Sequence, residues 1–186
     1  MKVTIILGSP RLDSNSEKLA KAAAATLLGP GEAPEIFRLN DLRYRGCQAC
    51  MSCKTKTEVC VLKDDLARVL SVAAFSDFLI LTTPIYIGEI TAQLKAFIDR
   101  SYSWFKPDFV SSADPTRLAP GKKLLFVVTQ GNPDLGAYKS NIDAYLGYFG
   151  SHGIKAAAFQ APIREGNIET LRPDLLADVV AAAKAL

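Results

Sequence analysis

The chain has 186 residues, with 22 basic and 19 acidic side chains. The net charge of +3 is too small to imply a nucleic-acid or anionic-membrane partner. Apolar residues make up 49% and charged residues 22%, ordinary globular proportions that exclude wholesale disorder. The length suits one domain with a real core and no need of disulfides. No apolar run approaches the ~18 residues of a membrane span. The apolar opening before Gly8 falls short of a secretory core of ~7–15 residues, so a cytoplasmic address is expected. In a reducing compartment, four cysteines point to metal or redox chemistry rather than a disulfide scaffold.

Lys2–Leu7 (KVTIIL) is β-branched and continuously apolar, the pattern of a strand buried on both faces. Gly8-Ser9-Pro10 stops it. Ser14 opens an S-x-x-E pattern with Glu17, a capping-box signature. Leu19, Ala22, Ala23 and Leu27 follow at helical spacing until Gly29-Pro30-Gly31. Glu35–Leu39 reads as a short strand. Asn40–Lys63 has no period, reads as a loop and holds all four cysteines. Asp64 is placed to cap a helix marked by Leu66, Val69, Leu70 and Ala73. Phe78–Thr83 is a second fully apolar strand, broken by Pro84. A helix from about Thr91 to Tyr102 turns Leu94, Phe97, Ile98 and Ser101 inward. Ser103–Gly121 reads as a long loop. Leu124–Thr129 is a third buried strand, Gln130–Gly136 a loop, Ala137–His152 a helix and Ile154–Phe159 the last strand. Pro173–Leu186 closes the chain as a helix with Pro in its first turn. This alternation predicts an α/β fold over residues 1–186, a doubly wound five-stranded parallel sheet with helices on both faces, without a repeat or a second domain.

Ligands of such folds bind beyond the carboxyl ends of the strands. Three loops on that edge are unusual. Gly8–Ser16 lacks both the dinucleotide G-x-G-x-x-G and the Walker lysine. It offers hydroxyls, an Asn amide, one Arg and the free N–H groups of a helix start, which suit a phosphomonoester. The plainer reading is an ordinary turn with a serine cap. Pro84-Ile85-Tyr86-Ile87-Gly88 presents apolar side chains and backbone groups, as a flat heteroaromatic ring requires, although an apolar loop is often only core. Thr129-Gln130-Gly131-Asn132 is a polar, turn-rich loop at a third strand end. Cys47-x2-Cys50-x2-Cys53-x6-Cys60 lies within one loop. Ferredoxin-type runs share its C-x2-C-x2-C core. Free or mutually oxidised thiols and zinc are the alternatives, and zinc motifs usually separate their cysteine pairs more widely.

These segments and the element order resemble the flavodoxin-like NADPH-dependent FMN reductase family over nearly the whole chain. The motifs that carry the resemblance are G-S-P-R-x-x-S-N-S at Gly8–Ser16 and P-x-Y-x-G…L-K-x-F-I-D-R at Pro84–Arg100. It implies strand order 2-1-3-4-5. It implies that Ser9, Arg11, Ser14, Asn15 and Ser16 hold the phosphate of FMN. Pro84, Ile85, Tyr86, Ile87 and Gly88 would line the isoalloxazine, with Thr129, Gln130, Gly131 and Asn132 closing from the other side. Lys95, Asp99 and Arg100 match the family's helix as packing residues or surface pairs. The cysteine run looks like the iron–sulfur flavoprotein branch of the superfamily, which implies a [4Fe–4S] cluster on Cys47, Cys50, Cys53 and Cys60.

The expected role is that of an FMN-dependent oxidoreductase passing electrons between flavin, cluster and an unknown small-molecule or protein donor or acceptor. NAD(P)H would be a transient donor with no motif of its own, and the resemblance implies a homodimer or homotetramer. The alternatives are a cluster-free NAD(P)H-dependent FMN or quinone reductase, and a non-catalytic metal- or ligand-binding module. No side chain is expected to act as catalytic acid or base. His152, the one histidine, is placed to meet helix-terminal carbonyls. Trp104, Phe105 and Phe109 are expected to form a lid or a subunit contact.

Overall fold

A computed structural model describes residues 1–164 and 166–186. The strands are β1 Val3–Leu7, β2 Glu35–Arg38, β3 Phe78–Pro84, β4 Lys123–Gln130 and β5 Lys155–Pro162. They form one sheet in the order β2-β1-β3-β4-β5, and every pairing is parallel, as expected.

The continuous apolar runs are explained by burial on both faces. Successive side chains of a strand point to opposite sides. Val3, Ile5, Leu7, Phe78, Ile80, Leu125 and Val127 face α1 (Asn15–Leu27) and α7 (Pro173–Ala185). Ile6, Leu79, Leu81, Leu124, Phe126 and Val128 face α3 (Asp65–Phe75), α4 (Ala92–Ser101) and α5 (Lys139–Gly150). Each fully buried large side chain contributes about 1.5–3 kcal/mol. On α1 the inner positions Ala20, Ala23 and Ala24 are small, which lets α7 approach through Val179 and Ala183. Thr4 is the polar exception within β1, and its hydroxyl pairs with that of Ser76 at 2.6 Å.

Several local readings change. β3 and β5 end on prolines that keep register with Thr129 and Gln130, because a strand's last residue can forgo its N–H. The cysteine segment contains a single helical turn, α2 (Ser52–Thr55), and a second short helix, α6 (Ile168–Leu171), follows β5. Both are too short to show a period. The capping box at α1 is half formed. Ser14 accepts from the Glu17 N–H, but the Glu17 carboxylate turns to Arg38 at 2.6 Å and Lys21 at 2.8 Å.

The aromatic residues after α4 are not a lid. Trp104 and Phe105 are buried within their own chain. Phe105 stacks on His152 at 3.7 Å, and Trp104 meets Phe97 and His152 edge-on. Phe109 stacks in turn on Phe105 at 4.8 Å. The His152 ring therefore sits among aromatics rather than at helix-terminal carbonyls. Its Nδ1 lies 3.3 Å from the Thr116 hydroxyl, and Nε2 has no partner. Among the described residues no helix is long and apolar enough to cross a membrane.

Burial, reinforced by the Lys54 charge, pushes His152 down to about 4. An unfolded imidazole titrates near ~6.5. The unfolded chain therefore takes up the proton first. The stability contributed by the neutral ring is complete above that pH and is lost as pH falls toward the folded value. Between pH 7 and 5 the wild type should lose up to about 2 kcal/mol relative to His152→Phe, measured by urea unfolding. Parallel pH profiles for the two proteins would contradict this.

Candidate functional site

In this strand order the chain leaves β1 toward β2 on one side, while β3 lies on the other, so a crevice opens where the loops part. The two edges of the crevice are pinned together. Gly8 donates its N–H to Thr82 O at 2.9 Å. A Cβ at Gly8 would stand 2.6 Å from that oxygen and 2.9 Å from Leu94 Cβ, so only glycine fits. Thr91, the N-cap of α4, donates its hydroxyl to Gly8 O at 2.9 Å and accepts from the Leu94 N–H. Its own N–H donates to the Thr83 hydroxyl at 3.1 Å.

Beyond this junction lies a pocket of about 300 Å³. It gathers Ser9, Arg11, Ser14, Asn15 and Ser16 from the first loop, Pro84, Ile85 and Tyr86 from the second, and Thr129, Gln130 and Gly131 from the third. Ile87, Gly88 and Asn132 do not line it. Ile163 and Arg164, just past β5, do, and they were missed in the sequence. Their position at the carboxyl end of the last strand was the available signal.

The first loop brings hydroxyls and one guanidinium to the pocket, with the Asp13 carboxylate beside them. Ser9 accepts from the Arg11 N–H at 3.2 Å, and the Ser14 and Ser16 hydroxyls lie 3.1 Å apart beside the start of α1. The Arg11 guanidinium is exposed and meets no carboxylate among the described residues. The Asn15 side chain is otherwise engaged. It donates to Gly166 O at 2.9 Å and accepts from the Ile168 N–H at 3.0 Å, bracing the segment after β5. Arg38 supports the loop from below by donating to Arg11 O and to Glu17. Burial works against the Glu17 carboxylate, but Lys21 and Arg38 hold it below the usual range.

The second loop ends in a two-residue hairpin. Tyr86 and Glu89 exchange both backbone hydrogen bonds, with Ile87 at φ 49° and Gly88 at φ 80°. That left-handed turn is unfavourable for a β-branched residue and throws Ile87 wholly into solvent, which removes it from the pocket. Glu89 anchors the hairpin through the Tyr145 hydroxyl at 3.0 Å and the Ile90 N–H at 2.7 Å. In the third loop the Gln130 amide donates to Asn132 O at 2.8 Å and Asp134 O at 2.9 Å. Two carbonyls can only accept, which orients the amide. Among the described residues the buried Oε1 has no partner, and Asn132 is drawn back from the pocket.

The four cysteines are unbridged and line a second cavity of about 160 Å³, walled by Leu62 and Tyr102 among others. Among the described residues no three His, Cys, Asp or Glu groups gather closely enough to grip one metal ion. A tetrahedral zinc site would hold its sulfurs ~3.8 Å apart, from a Zn–S bond of ~2.3 Å. A polynuclear cluster spaces them more widely, each sulfur on its own iron. The four thiols share the lining of one cavity, which is the donor set either arrangement would draw on. The Cys50 thiol is pushed down by the Ser52 hydroxyl and N–H. Lys54 lies 3.7 Å from Cys53 Sγ and donates to Tyr102 O and Phe105 O.

Lys95 and Asp99 form an exposed pair at 2.5 Å, as expected. Arg100 takes the other expected role, packing. Its side chain is fully buried and grips Asp64 with Nη1 at 2.6 and 2.7 Å. Asp64 consequently makes no cap bond to α3. Burial alone would raise the Asp64 carboxyl, but Arg100 and the Arg45 N–H hold it below the usual range.

A parallel sheet in this order, with an anion-ready loop at the switch point, defines a flavodoxin-like α/β protein. The profile described as NADPH-dependent FMN reductase matches residues 1–157, and the chain belongs to that family. Within it, the chain is similar to proteins named iron–sulfur flavoprotein. One from Archaeoglobus fulgidus is 38% identical over 100 residues, covering 54% of this chain and 45% of that protein. One from Methanosarcina thermophila is 35% identical over 101 residues, covering 54% and 52%. One from Clostridioides difficile is 26% identical over 172 residues, covering 89% and 72%. The chain thus spans about half the length of the first two relatives it matches. Among solved structures, an NAD(P)H:quinone oxidoreductase from Methanothermobacter marburgensis superposes with a TM-score of 0.72 at 17% identity, covering 99% of this chain and 94% of that one. An FMN-dependent NADH-azoreductase from Bacillus anthracis, solved with FMN, gives 0.68 at 18%, covering 100% and 99%. At these identities the likeness is one of fold.

The Gly8 junction makes a direct prediction. Gly8→Ala should destabilise the protein by about 1–3 kcal/mol, the range for forcing an atom into a packed site. Gly46→Ala, where a Cβ meets open space, should stay within about 0.5 kcal/mol. Equal urea midpoints for the two variants would contradict the close approach.

Proposed function

We propose that the carboxyl-edge pocket binds FMN, that the cysteine loop carries a [4Fe–4S] cluster, and that the chain is an FMN-dependent oxidoreductase. The observations that carry this reading are the convergence of three strand-end loops in one pocket and a separate cavity lined by four unbridged thiols. Ser9, Arg11, Ser14 and Ser16 would hold the phosphate, with the backbone N–H groups at the start of α1. With its side chain engaged elsewhere, Asn15 would contribute through its backbone alone. Pro84, Ile85 and Tyr86 would wall the ring, and Ile87 and Gly88 would hold the turn that places them. Thr129, Gln130 and Gly131 would close the far side, where Gln130 Oε1 accepts a hydrogen bond from the bound group, and Asn132 would fix the Gln130 amide.

FMN, when bound, supplies both hydride and single-electron chemistry, so the protein need provide no acid or base. The buried, neutral His152 fits that division. Cys47, Cys50, Cys53 and Cys60 would ligate the cluster, which adds one-electron chemistry. This is supported by their spacing, their common cavity and the names of the relatives. Residues 1–186 act in this reading as one cytoplasmic unit, assembled as a homodimer or homotetramer. It exchanges electrons with a small-molecule or protein partner, with NAD(P)H as a transient donor.

FMN should bind much more tightly than riboflavin. Arg11→Ala should weaken FMN by about 1.5–3 kcal/mol, as for a charged hydrogen bond, and leave riboflavin unchanged. Equal losses for both ligands in a titration would remove the phosphate assignment. Protein prepared without oxygen should contain about four iron and four sulfide per chain. Normal FMN binding by anaerobically reconstituted protein that takes up no iron would leave a cluster-free reductase.

A further inference from the structure

We propose that Arg100 is a positioning residue for the cysteine loop: one buried guanidinium joins the backbone on both sides of the four-cysteine segment and holds it formed before any cluster is present. The consequence for the cluster rests on the function proposed above. The clamp itself does not.

Arg100 lies in the last turn of α4, and its side chain is wholly inaccessible. Nη1 donates to Arg45 O at 3.2 Å, and Nη2 donates to Leu62 O at 3.3 Å. Arg45 stands two residues before Cys47, and Leu62 stands two residues after Cys60. The whole cysteine segment therefore leaves and re-enters the protein at one side chain. Asp64 completes the clamp by taking Nη1 on both oxygens and accepting from the Arg45 N–H at 3.2 Å.

The segment needs such a restraint. It pairs with no strand of the sheet, and its regular structure amounts to the single turn of α2. Ala49 and Met51, on either side of Cys50, sit at φ 50° and 56°, left-handed conformations that are costly for a residue with a side chain. A loop in that state opens unless contacts outside it hold it closed. Arg117 adds a second hold by donating to Cys53 O at 3.3 Å. Arg100 lines the cysteine cavity and not the carboxyl-edge pocket.

The chemistry explains why the clamp is ionic. Burying a guanidinium and a carboxylate is expensive, and a hydrophobic pair of the same size often stabilises a fold as well or better. A hydrophobic pair cannot hold two carbonyls and an N–H in fixed relation. The planar fork of arginine reaches two carbonyls and a carboxylate together, which the point charge of lysine does not.

The test compares wild type with Arg100→Lys and with the double variant Arg100→Met/Asp64→Leu, which leaves no buried charge unpaired should Arg100→Lys fail to fold. In the full-length protein without cluster, amides of residues 46–62 should exchange with deuterium roughly tenfold faster or more in the variants, with Arg100→Lys intermediate and β1 and α1 unchanged. After anaerobic reconstitution, the chelator bathophenanthroline should strip iron from the variants roughly tenfold faster, while FMN affinity stays at the wild-type value. Unchanged exchange in residues 46–62, or faster exchange spread over the whole sheet, would overturn the clamp. Wild-type iron retention in the variants would overturn its role for the cluster. A wild type that takes up no iron would defeat the cluster reading alone, and the exchange measurement would still decide the clamp.

Discussion

The contact between Gly8 and Thr82 sets the geometry of everything on the functional edge. It brings the ends of β1 and β3 so close that no side chain fits between them. The two chains then diverge, because β1 turns into the anion loop and β3 into the apolar loop. A parallel sheet alone would give two neighbouring loops with freedom to drift. The Gly8 N–H and the Thr91 hydroxyl remove that freedom by tying both loops to one peptide unit. The pocket is then a property of the sheet rather than of the loops.

Helix α4 extends this constraint across the molecule. Its first residue follows Thr91, which is bonded to Gly8, and its last turn carries Arg100, which is bonded to both flanks of the cysteine segment. Nine residues of helix separate these anchors by about 13–14 Å at ~1.5 Å per residue. The inner face, Leu94, Phe97 and Ile98, is packed against the sheet, so the rod can neither slide nor rotate without disturbing the core. The pocket for the anion and the cavity of the thiols are therefore held at a fixed separation by one rigid element.

The fold was legible because the strands are apolar on both faces. That pattern has few alternatives, and the expected strand order follows from the same motifs that mark the first loop. The site was legible in its loops but less so in its side chains. Ser9, Ser14 and Ser16 converge because loop and helix start are contiguous in the chain. Asn15 looked equally suited, yet it braces residues more than 150 positions away, a contact no local pattern announces. Arg164 differs, because its place at the carboxyl end of the last strand is itself a signal. Arg100 packs rather than pairs on the surface, a choice the F-I-D-R run alone does not make. Its burial follows from the Arg45 and Leu62 carbonyls, supplied by a segment that shows no period, and from the Asp64 carboxylate just beyond it. A long aromatic loop suggests a lid or a subunit contact for Trp104 and Phe105, but an aromatic cage around His152 accounts for them.

The distribution of charge around the thiols argues in the same direction as the clamp. Three cations bear on that segment. Arg100 has Asp64 as its carboxylate, whereas Lys54 and Arg117 reach mainly backbone carbonyls of residues 53, 102, 103 and 105. A carbonyl satisfies a donor but leaves the charge uncompensated. The segment therefore carries an excess of positive charge close to Cys53, partly withdrawn from water. Such a surplus opposes folding unless something negative offsets it. Glu58 and Asp108 line the groove that Lys54 and Arg117 share, and the thiols add groups that turn negative when a metal takes the place of their protons. The cations that fix the backbone and the cysteines that line the cavity are thus brought together by one short segment and its neighbours.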